Sequence, residues 1–213
     1  MSEITANKRP VQGPLRLLAY GVVALAIGFE LLVVWWMLHP QVPDDYRAYY
    51  IDHSTTCLNQ PVSGDYVLGT VVSFRSEETD QTKALRVCGW SGPAGDGTHA
   101  IGETSRLRFA LPPDAEGPLQ LTLELVAIER EGHPSQRVVV SVNGSELTTA
   151  TALAGAPLTV AVDIPAAAIA AQPGSVELVL DFPDAISMSP SDSNTRRRSI
   201  KLLSARLGSP VAP

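Results

Sequence analysis

The sequence predicts a mainly β protein, with one N-terminal transmembrane helix followed by an antiparallel β-sandwich of jelly-roll kind. Three observations carry this. The run from Leu17 to Leu38 is almost free of charge and has the length of a membrane span. Beyond it, apolar residues recur at every second position over several short segments. Gly-, Pro- and Asn-bearing turn signals separate those segments at short intervals. The expected organisation is a cytoplasmic tail (1–14), a transmembrane helix (15–39), a connector (40–56), an extracytoplasmic β-sandwich (57–207) and a loose tail (208–213).

The anchor reads LLAYGVVALAIGFELLVVWWML, about 22 residues, which as a helix spans a hydrocarbon core of about 30 Å. Trp35 and Trp36 lie near one end and Tyr20 near the other, where amphipathic rings favour the headgroup layer. Pro14 precedes the run, and Pro40 and Pro43 end it. The rival reading is a cleaved signal peptide, which would have a shorter apolar stretch and a small-x-small site after it; here Trp-Trp-Met-Leu-His-Pro follows. Lys8, Arg9 and Arg16 precede the span, whereas Asp44, Asp45 and Arg47 follow it. The positive flank stays in the cytoplasm, so the C-terminal domain is expected outside.

Glu30 interrupts the apolar run. A carboxylate at that depth costs a few kcal/mol unless it is protonated or partnered. Its neighbours on one helical face, Ala26, Ile27, Val33 and Val34, offer no partner. The expectation is contact with a polar or cationic group on another integral-membrane subunit; a protonated or snorkelling side chain facing lipid is the alternative.

Cys57 and Cys88 both follow the anchor. In an oxidising compartment they would pair, with two buried free thiols as the alternative. No His/Cys cluster calls for a metal, and no residue set calls for a cofactor.

In the outer domain the candidate strands are Tyr66–Phe74, Ala84–Cys88, Ser105–Leu111, Leu119–Ile128, Gln136–Val142, Pro157–Ile164, Ser175–Phe182 and Ser199–Leu207. Within LQLTLELVAI, Leu119, Leu121, Leu123 and Leu125 alternate with Gln120, Thr122 and Glu124, the pattern of a half-buried strand. Val176, Leu178 and Leu180 repeat it. Asn143-Gly144 between QRVVVSV and SEL marks a type I′ hairpin turn, which also explains the sequon Asn143-Gly-Ser. Pro165 to Ala170 reads as a brief helical turn stopped by Pro173-Gly174.

A net charge of −6 leaves no basic face for phosphates, so no nucleic-acid partner is expected. The one dense basic run, Arg196-Arg197-Arg198, reads as a solvated strand end. Asp52-His53-Ser54 cannot form a relay, because adjacent residues on extended chain point apart. Glu77/Glu78 and Glu129/Glu131 sit in turns, where solvated charge is the ordinary state, so no enzyme activity is expected.

Cys88-Gly89-Trp90-Ser91-Gly92-Pro93, then Gly95, Gly97 and Gly102, then the strand LRFALP, resembles the start of a jelly-roll-like β-sandwich module found with bacterial membrane-bound glycosyltransferases and cell-surface polysaccharide proteins. QRVVVSVNGSEL, VDIPAAAI and LDFPDAISMSPSDSNTRRRSIKLLSARL resemble its later pieces in the same order. The resemblance covers roughly 57–207. It implies a carbohydrate-binding-module-like sandwich and supplies no catalytic set. Asp96 and Thr98 stand where that module carries aromatic residues.

Outside the anchor and connector, the candidate ligand loop holds Trp90, Asp96, His99 and Glu103. Trp90 is either a sugar platform or a core residue, and the polar three are either hydroxyl binders or loop solubility. Two functions follow. The first is a non-catalytic accessory subunit of a larger bacterial inner-membrane complex, in contact with lipid and with partner subunits through Glu30, its sandwich covering them on the periplasmic side. The alternative is a membrane-anchored carbohydrate-binding module serving envelope polysaccharide synthesis or export.

Overall fold

The computed structural model describes residues 13–39, 41–75, 79–113, 115, 117–189 and 196–210. The chain divides into two compact units, Met1–Pro43 and Asp44–Pro213. Lys8, Arg9 and most of the expected N-terminal tail, the pair Glu77/Glu78 and the last three residues lie outside the described residues.

The first unit is the helix α1, Gly13–Leu38. From Arg16 onward nearly all of its residues are exposed, Glu30 among them. Apolar side chains cover every face of α1, as suits a helix surrounded by lipid. It is long and apolar enough to cross a membrane, a description that an N-terminal signal sequence also satisfies.

The second unit opens with a helical turn, α2 (Asp44–Tyr46), which continues as a π-helical turn over Arg47–Ile51. Among the described residues eleven strands follow: β1 (Val71–Ser73), β2 (Arg86–Cys88), β3 (Trp90–Ala94), β4 (Gly97–Ala100), β5 (Thr104–Ala110), β6 (Leu119–Ala127), β7 (Ser135–Val142), β8 (Ser145–Leu153), β9 (Leu158–Ile164), β10 (Ser175–Asp181) and β11 (Ile200–Gly208). Two short helices, α3 (Thr79–Leu85) and α4 (Ala166–Ala170), punctuate them. All strand pairs are antiparallel. One sheet runs β3-β4-β11-β6-β9, with β1 also on β11; the other runs β2-β5-β10-β7-β8. Strand β11 sits in the middle of its sheet. Along one edge it pairs with β6 from Ile200↔Ala127 to Gly208↔Gln120. Its other edge is shared by β4 (Lys201↔His99) and β1 (Arg206↔Val71).

The core lies between the two sheets and follows from the period-two pattern. In β6 the leucines 119, 121, 123 and 125 are buried and the residues between them are not. Leu107 and Phe109 of β5 and Val176, Leu178 and Leu180 of β10 meet them from the opposite sheet in one continuous cluster. A predicted antiparallel sandwich is therefore what the chain forms. At the hairpin between β7 and β8, Asn143 and Gly144 both have positive φ (48° and 80°), as a type I′ turn demands. The Asn143 side chain also donates to the carbonyl of Ala168 (2.9 Å) and accepts from the amide of Glu177 (2.8 Å), tying the hairpin to α4 and β10.

Four elements differ from the sequence expectation, the first being β8, Ser145–Leu153, which the candidate strands omit although the Asn143-Gly144 turn leads into it. The strand expected over Tyr66–Phe74 is regular only at Val71–Ser73; ahead of it the segment is tied to β11 through the Tyr66 hydroxyl, which accepts from the Leu207 amide (2.9 Å), and through the Gly69 amide, which donates to the Leu207 carbonyl (2.7 Å). Ala84 and Leu85, expected in a strand, close α3 instead, and pairing begins at Arg86. The glycine-rich segment after Gly89 is not an open loop: Trp90–Ala94 and Gly97–Ala100 form a hairpin on β11.

The chain passes from one sheet to the other at Gly89, between β2 and β3. Its carbonyl accepts from the Ser105 hydroxyl (2.6 Å) and the Ile101 amide (2.7 Å).

Candidate functional site

The hairpin β3–β4 disperses the expected ligand residues. Trp90 is half-buried. Its indole N–H donates to the Arg106 carbonyl (2.8 Å), and its ring packs on Phe74 with centroids 6.2 Å apart. The ring is thus part of the rim of the core.

Asp96 lies at the tip of the hairpin and ion-pairs with Lys201 of β11. The hydrogen bond from Lys201 holds its carboxyl below the usual carboxylate range. His99 stands opposite Lys201 in register and is half-buried. Burial first, then the charges of Lys201 and Arg198, hold its imidazole below the ordinary histidine range against the opposing pull of Asp96. Glu103 pairs with Arg197 at 2.6 Å. Asp96 and His99 are therefore gathered around Lys201, Glu103 is held by Arg197, and Trp90 belongs to a different edge.

Trp90 also lines a cleft of the β-domain with a volume of about 1230 Å³. One wall is the connector. The π-helical turn presents Tyr49 and Tyr50, whose rings meet edge to face with centroids 4.7 Å apart. The segment from Thr55 to Val62 continues the wall and is stitched to the sandwich at four places. Thr56 Oγ1 donates to the Ile101 carbonyl (2.9 Å). Cys57 and Cys88 form a disulfide, with Cα atoms 4.7 Å apart. The Gln60 amide donates to the Val87 carbonyl (3.0 Å), and the Gly64 amide to that of Ala84 (2.8 Å). The opposite wall is β2 and the crossover: Arg86, Val87, Cys88, Gly89 and Trp90. Lys83 of α3, together with Arg196 and Arg198 before β11, lines the remainder.

Arg86 is half-buried in this lining. Its Nη1 donates to the Ser91 carbonyl (2.6 Å), and burial lowers its pKa from the ordinary guanidinium value. Nη1 of Arg198 lies 3.2 Å and 3.3 Å from the carbonyls of Arg196 and Arg197. No Asp or Glu is among the described residues lining the cleft. Among the described residues, no group of three or more His, Cys, Asp or Glu side chains could hold a metal ion.

Sequence reasoning did not single out Tyr49, Tyr50, Lys83, Arg86, Arg196 or Arg198 as one site. They come from three distant stretches of chain, and only the pairing of Cys57 with Cys88 signals that two of those stretches meet.

No family model matches the chain. No curated protein matches it either. Solved structures similar to it include the first carbohydrate-binding domain of a multidomain xylanase from the hindgut metagenome of Trinervitermes trinervoides: 14% identity, 67% of this chain and 98% of that one, TM-score 0.38. A carbohydrate-binding module of the same family, solved with calcium and xylotriose, gives 11% identity, 55% and 84% coverage and a TM-score of 0.34. The C-terminal domain of the sugar-binding protein EclA gives 12% identity, 67% and 79% coverage and a TM-score of 0.35. At these values the likeness identifies neither a ligand nor a site.

Proposed function

We propose that the chain is a non-catalytic, membrane-anchored glycan-binding module, with its sandwich on the periplasmic face of a bacterial inner membrane and the cleft between the connector and the β2–β3 crossover as its binding site. The observation that carries this is the lining of the cleft. Two exposed or half-buried tyrosine rings and Trp90 converge there with the neutral hydrogen-bonding side chains of Thr55, Thr56 and Gln60. Flat rings with scattered polar groups suit a polyhydroxylated ring compound. The positive flank of the anchor and the disulfide both favour the extracytoplasmic side.

The test uses the full-length chain in lipid nanodiscs on an array of bacterial and plant glycans. Binding to a subset of the array is expected, weakened about tenfold or more by Tyr49→Ala with Tyr50→Ala, as befits the loss of two contact rings. Silence across the array, or a double variant that binds as well as the parent, would overturn the reading.

A second reading, the accessory subunit of a larger membrane complex, rests on Glu30, which a simple tether does not need. Gentle detergent extraction should then recover partner chains that Glu30→Leu loses. An unchanged set of co-purifying chains removes this reading.

A further inference from the structure

We infer that the ligand of this cleft is an acidic glycan, one bearing carboxylate or phosphate groups. The inference rests on the glycan-binding reading above and names the ligand class for the same site.

The argument is the distribution of charge. The chain carries a net charge of −6. Elsewhere in the β-domain the ion pairs are Arg106 and Arg108 with Glu177, Arg137 with Asp184, Arg197 with Glu103 and Lys201 with Asp96. Lys83, Arg86, Arg196 and Arg198 all line the cleft, and the described residues lining it include no Asp or Glu. Lys83 has an exposed Asp80 at 3.5 Å on its own helix, outside the lining. A concave surface lined by one sign of charge concentrates its field and raises the local concentration of a ligand of opposite sign.

The cations are also placed for recognition. The Arg86 guanidinium is anchored by Ser91 and half-buried, so holding an oxyanion costs it little further side-chain freedom. Arg196 is exposed. Arginine forks match the planar geometry of carboxylates and the oxygens of phosphates. Tyr49 and Tyr50 line the same cleft, so a sugar ring resting on them can present its acidic substituent to the arginines.

The experiment measures binding of the full-length chain in phosphatidylcholine nanodiscs to oligogalacturonate, to hyaluronan oligosaccharides and to glycerol-phosphate-substituted oligosaccharides. The fully methyl-esterified galacturonate serves as the uncharged counterpart on the same backbone. Vesicles of phosphatidylglycerol in phosphatidylcholine form the lipid arm. At least one acidic probe should bind, about tenfold or more tighter than its uncharged counterpart, with affinity falling as NaCl rises from about 50 mM to about 500 mM. Arg196→Gln and Lys83→Gln, at exposed positions that leave the fold intact, should each weaken acidic-probe binding several-fold; Arg86→Gln should weaken it further.

Equal binding of acidic and esterified probes would overturn the acidic-ligand inference while leaving the glycan reading in place. Silence of every carbohydrate probe would overturn both. Binding to phosphatidylglycerol vesicles with no carbohydrate bound would overturn both in favour of a lipid headgroup.

Discussion

Replacing Gly89 by alanine is expected to destabilise the β-domain by about 2–5 kcal/mol, against the roughly 5–15 kcal/mol by which domains are stable. Gly89 has φ of +76°, a left-handed conformation that costs other residues about 1–2 kcal/mol. A Cβ there would stand 2.2 Å from the Thr104 carbonyl oxygen and 2.7 Å from the Ser105 Cα. Both are backbone atoms of β5, which pairs with β10 along its whole length and cannot step aside. Overpacking of this kind adds about 1–3 kcal/mol. Gly92, three residues on in the same motif, is the control. Its Cβ would meet nothing within 4 Å and its φ is unremarkable for any residue. Gly92→Ala should therefore shift stability by no more than about 0.5 kcal/mol. Urea unfolding of the two variants, followed by far-ultraviolet circular dichroism, separates them; coincident midpoints would show that the crossover is not the tight point described.

The disulfide carries the second large effect. Cys57 and Cys88 are separated by 31 residues. Opening a loop of that length, by reduction or by Cys57→Ser with Cys88→Ser, should cost about 3–4 kcal/mol on the chain-entropy account. The loss has a location as well as a size. The bridge joins the connector wall of the cleft to β2, and without it that wall is held by the hydrogen bonds from Thr56, Gln60 and Gly64. Ligand binding should therefore weaken under reducing conditions in which the sheets still give their β signal. Urea midpoints that coincide with and without reductant would refute the energetic claim.

Both effects bear on what the sequence discloses. Alternation in LQLTLELVA and SVELVLD is enough to place β6 and β10 and to say which side faces the core, because a strand half-buried in a sandwich has no other way to satisfy its apolar residues. Asn143-Gly144 discloses its turn because few residue pairs tolerate two consecutive positive φ values. Strands β3 and β4 stay hidden. WSGPA and GTHA carry glycines and a proline and show no alternation of apolar and polar residues, so their pairing comes from the tertiary edge that β11 offers. The cleft is less legible still. Arg196 and Arg198 look like the solvated end of a strand, and Tyr49 and Tyr50 like part of a linker, until the fold brings them to Arg86. Periodicity reports burial within one element; it contains nothing about which distant elements share a rim. The motif around Trp90 was legible as a motif, but its glycine and tryptophan are spent on the passage between sheets and on closing the core.

The position of β11 has a consequence for biosynthesis. Among the described residues the last strand in chain order lies at the centre of its sheet, flanked by β6 on one side and by β4 and β1 on the other. A nascent chain that has not yet produced Ile200–Gly208 cannot join β4 to β6, and leaves both with unsatisfied backbone edges. The closing step must also draw together segments more than a hundred residues apart, such as Val71 and Arg206, and contacts of that range form slowly. The sheet is thus closed only once β11 has been made, and β4 and β6 keep open edges until that strand arrives.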